Sequence, residues 1–140
     1  MKTGILILLL AASHAYGDCI LQEGVGSDFA KIGVTAQKSV GSLPASVDVQ
    51  YQNRLVSEIV AWGQNCRTTR GISVGDTRTQ VEKAYGKGKK TTLYLEKGTL
   101  LNGKPDRVGQ IGDYVLEYPG AAFVIDHDKV WAVMIRANPR

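Results

Sequence analysis

The sequence predicts an α+β fold: an antiparallel sheet of two hairpin-containing halves, with one or two short helices packed on one face. Three observations predict it. Val47, Val49 and Tyr51 alternate with Asp48 and Gln50, Gln52-Asn53-Arg54 interrupt, and an apolar run resumes from Leu55 to Trp62, which is a hairpin pattern with turn chemistry at Asn53. The same design returns from Ala121 to Arg136 around His127-Asp128. An offset of 74 residues sets Val49 on Phe123, Tyr51 on Ile125, Val56 on Val130, Ile59 on Val133 and Ala61 on Ile135, and every pair is apolar on both sides. Between the hairpins, Gly71 to Gly86 reads as an extended segment, a tight turn, a capped amphipathic helix and a glycine stop.

Taken in order, residues 1–17 carry one lysine (Lys2), an apolar core from Ile5 to Ala12, and small residues Ala15 and Gly17 at the −3 and −1 places of a cleavage site. That is the pattern of a secretory signal peptide. The apolar run falls well short of the ~20 residues a membrane-spanning helix needs, and no second run of that length follows. A lipid anchor on Cys19 is the competing reading, but Tyr16-Gly17-Asp18 before the cysteine is not a lipobox. The expected product is residues 18–140, one domain of 123 residues, periplasmic or secreted. At that size a chain buries about two-thirds of its unfolded surface and builds its own core.

Two cysteines remain, Cys19 and Cys66, and an oxidising compartment favours a disulfide between them. Such a bridge would tie the N-terminal end to the middle of the chain, worth about 4 kcal/mol by loop-closure entropy. Two free thiols or an intermolecular bridge are the alternatives, because spacing does not establish Cα proximity. The cysteines have no CxxC spacing and only His127 follows residue 17, so neither a metal site nor another cofactor is implied.

Without Lys2 the chain carries 16 basic and 13 acidic residues, a net charge of +3. Lys83, Lys87, Lys89 and Lys90 form the densest basic stretch, and cations suit the C-terminal pole of a helix and the loop after it. No aromatic interleaving accompanies them, so no nucleic-acid partner is expected.

Before the first hairpin, Ile32 to Val40 with Leu43 reads as a weaker copy of the Gly71 to Gly86 unit, with a helical piece near Ala36 to Leu43. In the stronger copy, Asp76 or Thr77 caps the helix and Thr77-x-x-Gln80 forms a capping-box variant. Val81, Ala84 and Tyr85 share one face at i, i+3, i+4, while Arg78, Glu82 and Lys83 take the wet side. Gly86 ends the helix with αL geometry. Thr91 to Leu95, Thr99 to Leu101 and Tyr114 to Tyr118 supply further strands, and Asn102 to Asp106 reads as a loop.

The order Gly-Ile-x-Val-Gly-Asp-Thr, helix, Tyr-Gly, then a meander ending in Asp-Lys-Val-Trp-Ala-Val-Met-Ile resembles the small exported domains grouped with β-lactamase-inhibitor-protein-like and outer-membrane-assembly (SmpA/OmlA) lipoproteins. The resemblance covers Gly71 to Arg136 well and Ile32 to Trp62 loosely. It implies a short helical unit before an antiparallel sheet, sometimes in tandem, and a role in binding other proteins.

The chemistry-bearing residues agree with a non-enzymatic reading. His127 lies between Asp126 and Asp128 in a turn, and no serine or cysteine sits in an elbow or helix-start motif that would make it a catalytic partner. Gly24-Val25-Gly26 and Gly71 to Gly75 lack the spacing of a phosphate loop. Asp113, Glu117 and Asp126 read as a solvated strand face. Tyr94, Tyr114, Tyr118, Trp62 and Trp131 fall on expected strands, and aromatic side chains give contact area at low entropic cost. Alternation sets Tyr114 and Tyr118 on one strand face, and Trp131 opposite Val130 and Ala132. Tyr114, Tyr118 and Trp131 are the candidate protein-binding residues, with another envelope or extracellular protein as the expected partner; the competing reading is that these aromatics lie in the core or pack under loops, and alternation does not tell which sheet face is wet. The alternative is a small envelope enzyme or ligand carrier using the loop from Gly98 to Gln110.

Overall fold

The computed structural model describes residues 19–35, 43–94 and 110–139. Its strands in chain order are β1 (Cys19–Leu21), β2 (Gly26–Ser27), β3 (Ala30–Lys31), β4 (Val47–Gln52), β5 (Leu55–Ala61), β6 (Cys66–Thr68), β7 (Lys89–Tyr94), β8 (Gln110–Tyr118), β9 (Ala121–Asp126) and β10 (Lys129–Arg136). Among the described residues one helix, α1 (Arg78–Tyr85), joins β6 to β7. The main sheet is antiparallel with six strands in the order β4-β5-β10-β9-β8-β7. β1 pairs with β6 in parallel, and β2 with β3 in antiparallel. The fold is thus mostly β, and α+β describes it only loosely because the described helix has eight residues. The helical piece expected at 36–43 lies outside the described residues except for Leu43, as do the strand at 99–101 and the 98–110 loop up to residue 109.

Both hairpins close with two residues at positive φ, Asn53 (53°) with Arg54 (68°) and His127 (51°) with Asp128 (64°). Paired left-handed residues make the type I′ turn whose twist matches that of the flanking strands. The 74-residue offset carries Asn53 onto His127 and Arg54 onto Asp128. It also carries one β-bulge onto the other, since Ser57 is the unpaired residue in the first hairpin and Trp131 in the second. Where the hairpins meet, Val60 pairs with Met134, Ala61 with Val133 and Ile59 with Ile135. That register is unchanged when the two halves are exchanged, so a local pseudo-twofold axis runs through the sheet between Val60 and Met134.

The segment ahead of each hairpin repeats as well. Gly33 N–H donates to Val56 O (2.8 Å), Val56 N–H to Val34 O (2.9 Å), and Thr35 bridges Leu55. In the second half Gly75 N–H donates to Val130 O (2.9 Å), Val130 N–H to Asp76 O (2.7 Å), and Thr77 bridges Lys129. A Gly-x-Thr segment is therefore stitched to the start of each hairpin's returning strand by the same three links. In the second half it leads into α1, where Thr77 accepts from Gln80 N–H (3.2 Å) and the Gln80 side chain accepts from Thr77 N–H (2.8 Å), a complete capping box. Gly86 stops the helix at φ 88°, ψ −167° rather than in the αL region expected from sequence. That backbone region is essentially open to glycine alone.

Alternation divides the sheet's side chains between two layers. On the α1 side, Val49, Val56, Ile59, Val133, Ile135, Phe123, Ile125 and Leu116 pack with Val81 of the helix and with Leu21. Phe123 lies at its centre with the Tyr85 and Tyr118 rings 5.1 and 6.0 Å away, at tilted and edge-on angles that suit aromatic quadrupoles. On the opposite side Val60, Ile111, Val115, Ala122, Val124, Ala132 and Met134 form a second cluster, with Trp62 and Trp131 packed against it.

The N-terminal strand is fixed covalently. Cys19 and Cys66 face each other across β1 and β6 with Cα atoms 4.4 Å apart, and they form the expected disulfide.

Candidate functional site

The arrangement of the far side of the sheet follows from one bulge. Without it, alternation would set Trp131 opposite Ala132. Because Trp131 is the extra residue in β10, it shares the far side with Ala132 while Val130 stays on the α1 side. Trp62, one residue beyond β5, joins it there, because Ala61 pairs with Val133 and the next position lies beside Ala132. Both indoles are half-buried at the margin of a fully buried apolar strip. The opposite end of this side is polar: Arg136 donates to Glu58 (Nε to Oε2, 2.5 Å) and to Glu117 (Nη1 to Oε1, 3.2 Å), with all three side chains partly exposed. The guanidinium is thus held between two carboxylates while also reaching Met134 Sδ at 3.5 Å.

Tyr114 and Tyr118 do not join Trp131 on this surface. Both pack on the α1 side. Tyr118 O–H donates to Gly86 O (2.8 Å) and its ring lies 5.2 Å from that of Tyr85, so it secures the end of α1 to the sheet. Burial raises its pKa above the ordinary tyrosine value. Tyr114 lies under two cations: Lys90 Nζ is 4.1 Å from the ring centroid, and Arg78 Nη1 reaches the hydroxyl at 3.4 Å. Tyr94 belongs to β7. Trp62 therefore belongs beside Trp131 in a candidate surface, and the bulge that aligns them leaves no mark in an alternation pattern.

Two polar groups lie elsewhere. Tyr85 O–H donates to the Glu23 carboxylate, the Thr68 hydroxyl lies 2.7 Å from the same phenol oxygen, and Thr69 donates to Glu23 Oε1 (2.5 Å). Burial, and then the neighbouring Glu23 carboxylate, push the Tyr85 pKa well above the ordinary tyrosine value. Arg70 covers the ring at 4.9 Å and donates to Ala84 O. These contacts join the N-terminal strand, the β6 segment and α1. At the β9–β10 turn, Asp113, Asp126 and His127 bring ligand atoms within 4.8 Å of one another, a set with the donor types a divalent ion uses. Counting histidines and CxxC spacings does not reveal it, because Asp113 arrives from β8. His127 N–H donates to Asp113 Oδ2 (2.9 Å) and its Nδ1 lies 3.1 Å from Asp126 Oδ2, with the imidazole 82% exposed, so the cluster already bonds within itself.

Two hollows lie among the described residues, and both are small. One of about 100 Å³ is lined by Phe29, Ala30, Val34 and Val56, and one of about 120 Å³ by Cys19, Cys66, Gln64 and Ser73. Neither approaches the roughly 300 Å³ at which small-molecule sites begin, and neither contains His127. No described helix is long and apolar enough to cross a membrane. No protein family, no curated protein and no solved structure matches the chain.

Proposed function

We propose that this chain is an exported, non-enzymatic protein-binding domain, inhibitor-like or assembly-like in its mode of action, on a tandem α+β scaffold. In this reading residues 1–17 are removed as a signal peptide and the domain works in the periplasm or outside the cell, where the Cys19–Cys66 bridge persists. The observation that carries the reading is the sheet side whose margin presents two half-buried tryptophans, set against two hollows among the described residues that are small. Tryptophan is, with tyrosine and arginine, among the residue types enriched at the anchoring positions of protein interfaces. Arg136 between Glu58 and Glu117 supplies the charged rim such a patch uses for orientation.

Site-specific photo-crosslinking in producing cells tests it. A crosslinking residue at position 62 or 131 is expected to trap a discrete protein adduct that the same residue at Lys87 does not trap. The adduct should be lost in a Trp62→Ala/Trp131→Ala comparison carrying the crosslinker at Gln50. Absence of any adduct at 62 and 131, or an identical pattern from position 87, refutes the reading.

A further inference from the structure

The pseudo-twofold relation between the hairpins is broken at their outer edges. In the second half β9 is a central strand, because β8 pairs along it with Tyr114 opposite Ile125, Leu116 opposite Phe123 and Tyr118 opposite Ala121. In the first half the equivalent strand, β4, ends the sheet, and no described strand pairs with its outer edge. The difference shows at equivalent side chains: Ile125 is 0% exposed and Tyr51 is 47% exposed.

We propose that the outer edge of β4 accepts an extended segment of a partner protein, antiparallel and in the register that β8 adopts on β9. The proposal rests on the protein-binding reading and names the form of its partner. Three features of β4 support it. First, Val49 N–H points outward: Trp62 N–H donates to Ser46 O (3.0 Å), so 46/62 is a bonded pair and 47/61 and 49/59 are non-bonded ones, and the Asp48 carboxylate accepts from Val49 N–H (3.1 Å). The alternation of an antiparallel ladder then turns the amides of Val47 and Tyr51 outward as well. A partner carbonyl replaces the carboxylate at Val49 without breaking any bond to β5. Second, β4 carries neither lysine nor proline, the usual guards of an edge, whereas the opposite edge strand, β7, begins with exposed Lys89 and Lys90.

Third, the register fixes the occupant's chemistry. Residues facing Tyr51, Val49 and Val47 stand where Tyr114, Leu116 and Tyr118 stand on β9, so they are apolar or aromatic at every second position. Those between them face Gln50 and Asp48, so a cation opposite Asp48 recovers the charge released from Val49 N–H. A second copy of this chain fits less well, because the two Asp48 carboxylates would meet diagonally on one side of the joint sheet.

The test uses the full chain, expressed with residues 1–17 in place, purified with its disulfide formed and ¹⁵N-labelled. The probe is the peptide acetyl-Thr-Tyr-Lys-Leu-Lys-Tyr-Thr-amide, with a Glu-for-Lys peptide as control. The expected result is saturable binding that slows hydrogen exchange at the Val47, Val49 and Tyr51 amides, with the acidic peptide about tenfold weaker. Asp48→Lys should reverse the preference between the peptides. Tyr51→Pro, which removes an outward amide from an exposed position, should abolish binding of both while near-ultraviolet circular dichroism stays unchanged. If Tyr51→Pro fails to fold, the Asp48→Lys reversal decides. Absence of binding, protection at β7 or elsewhere in place of β4, or a concentration-dependent dimer protected at β4 without peptide each overturns the proposal. A crosslinked partner that the peptide does not displace leaves the protein-binding reading standing without the β4 mode, and peptide binding with no crosslinked partner does the reverse.

Discussion

Replacing Tyr85 by phenylalanine removes a single oxygen and tests whether the N-terminal strand is held to the rest of the fold by hydrogen bonding as well as by the disulfide. That oxygen donates to the Glu23 carboxylate, and its tie to Thr68 is 2.7 Å long. A hydrogen bond to a charged group contributes about 1.5–3 kcal/mol net. The Thr68 hydroxyl, 1% exposed, still accepts from Ile72 N–H at 3.2 Å but loses its second partner. Glu23 is partly solvated and recovers some of its loss from water, so the expected cost at pH 7 is about 2 kcal/mol. For a domain of this size that lowers Tm by about 8 °C. The same substitution changes the response to alkali. The folded-state pKa of Tyr85 is raised above 10, so its contribution is complete below pH 10 and declines as pH rises, because the unfolded chain then loses the proton first. The decline has a ceiling of about 1.4 kcal/mol per pH unit, reduced here because the ring is only half-buried. Tyr118 is shifted in the same direction and leaves a residual slope in the variant. Urea unfolding followed by tryptophan fluorescence at pH 7, 10 and 11 measures both effects, and with both cysteines bridged no thiol is present to drive exchange. A loss below about 0.5 kcal/mol at pH 7, or a gap between wild type and variant that does not narrow at pH 11, refutes the role assigned to the Tyr85 hydroxyl.

Four other changes have definite expected outcomes. Cys19→Ser with Cys66→Ser should cost about 4 kcal/mol, read as a urea midpoint that dithiothreitol lowers in the wild type and leaves unchanged in the variant. Thr77→Ala removes the capping box and should cost about 1 kcal/mol, visible as a lower Tm with little change in the rest of the far-ultraviolet spectrum. Arg54→Gly, at φ 68° in the first hairpin turn, should raise stability by roughly 0.5–1 kcal/mol, whereas a decrease would mean that the Arg54 side chain makes a favourable contact. Gly112→Ala should cost at least about 2 kcal/mol, since φ is 65° and the added Cβ would meet Val124 Cγ1 at 2.6 Å and Ile125 O at 2.8 Å.

Legibility in the sequence tracked how local each determinant is. The second hairpin, its two-residue turn and the capped helix are written in neighbouring residues, and β9, β10 and the Thr77 cap occur where the pattern sets them. Of the weaker copy read from Ile32 to Leu43, the described part, Gly33 to Thr35, is a structural counterpart of Gly75 to Thr77 that only backbone bonds reveal, and residues 36–42 lie outside the described residues. β1, β2, β3 and β6 were not anticipated, because strands of two or three residues leave no periodicity to read. Only the Cys19 and Cys66 pair hinted at the parallel contact. The side of the sheet occupied by Trp131 was also hidden: a bulge shifts alternation by one residue, and its position depends on the partner strand.

The repeat helps separate residues the scaffold requires from residues it merely tolerates. Positions that serve the same structural purpose in both halves carry matching chemistry, as Val56 and Val130, or Ile59 and Val133, do in the core on the α1 side. At the bulge the halves diverge. Ser57 donates its hydroxyl to Gln50 O (3.1 Å), whereas Trp131 places an indole at the margin of the far side. A serine therefore suffices to form the bulge, and the tryptophan is not there to make it. The same comparison sets Trp62 against Arg136, one indole and one charge at equivalent ends of the far side, and Tyr51 against Ile125, one exposed and one sealed beneath β8. The Tyr51 and Ile125 difference follows from β8 covering β9 while no described strand covers β4, whereas the bulge and the Trp62 and Arg136 positions carry unlike side chains on matching backbone.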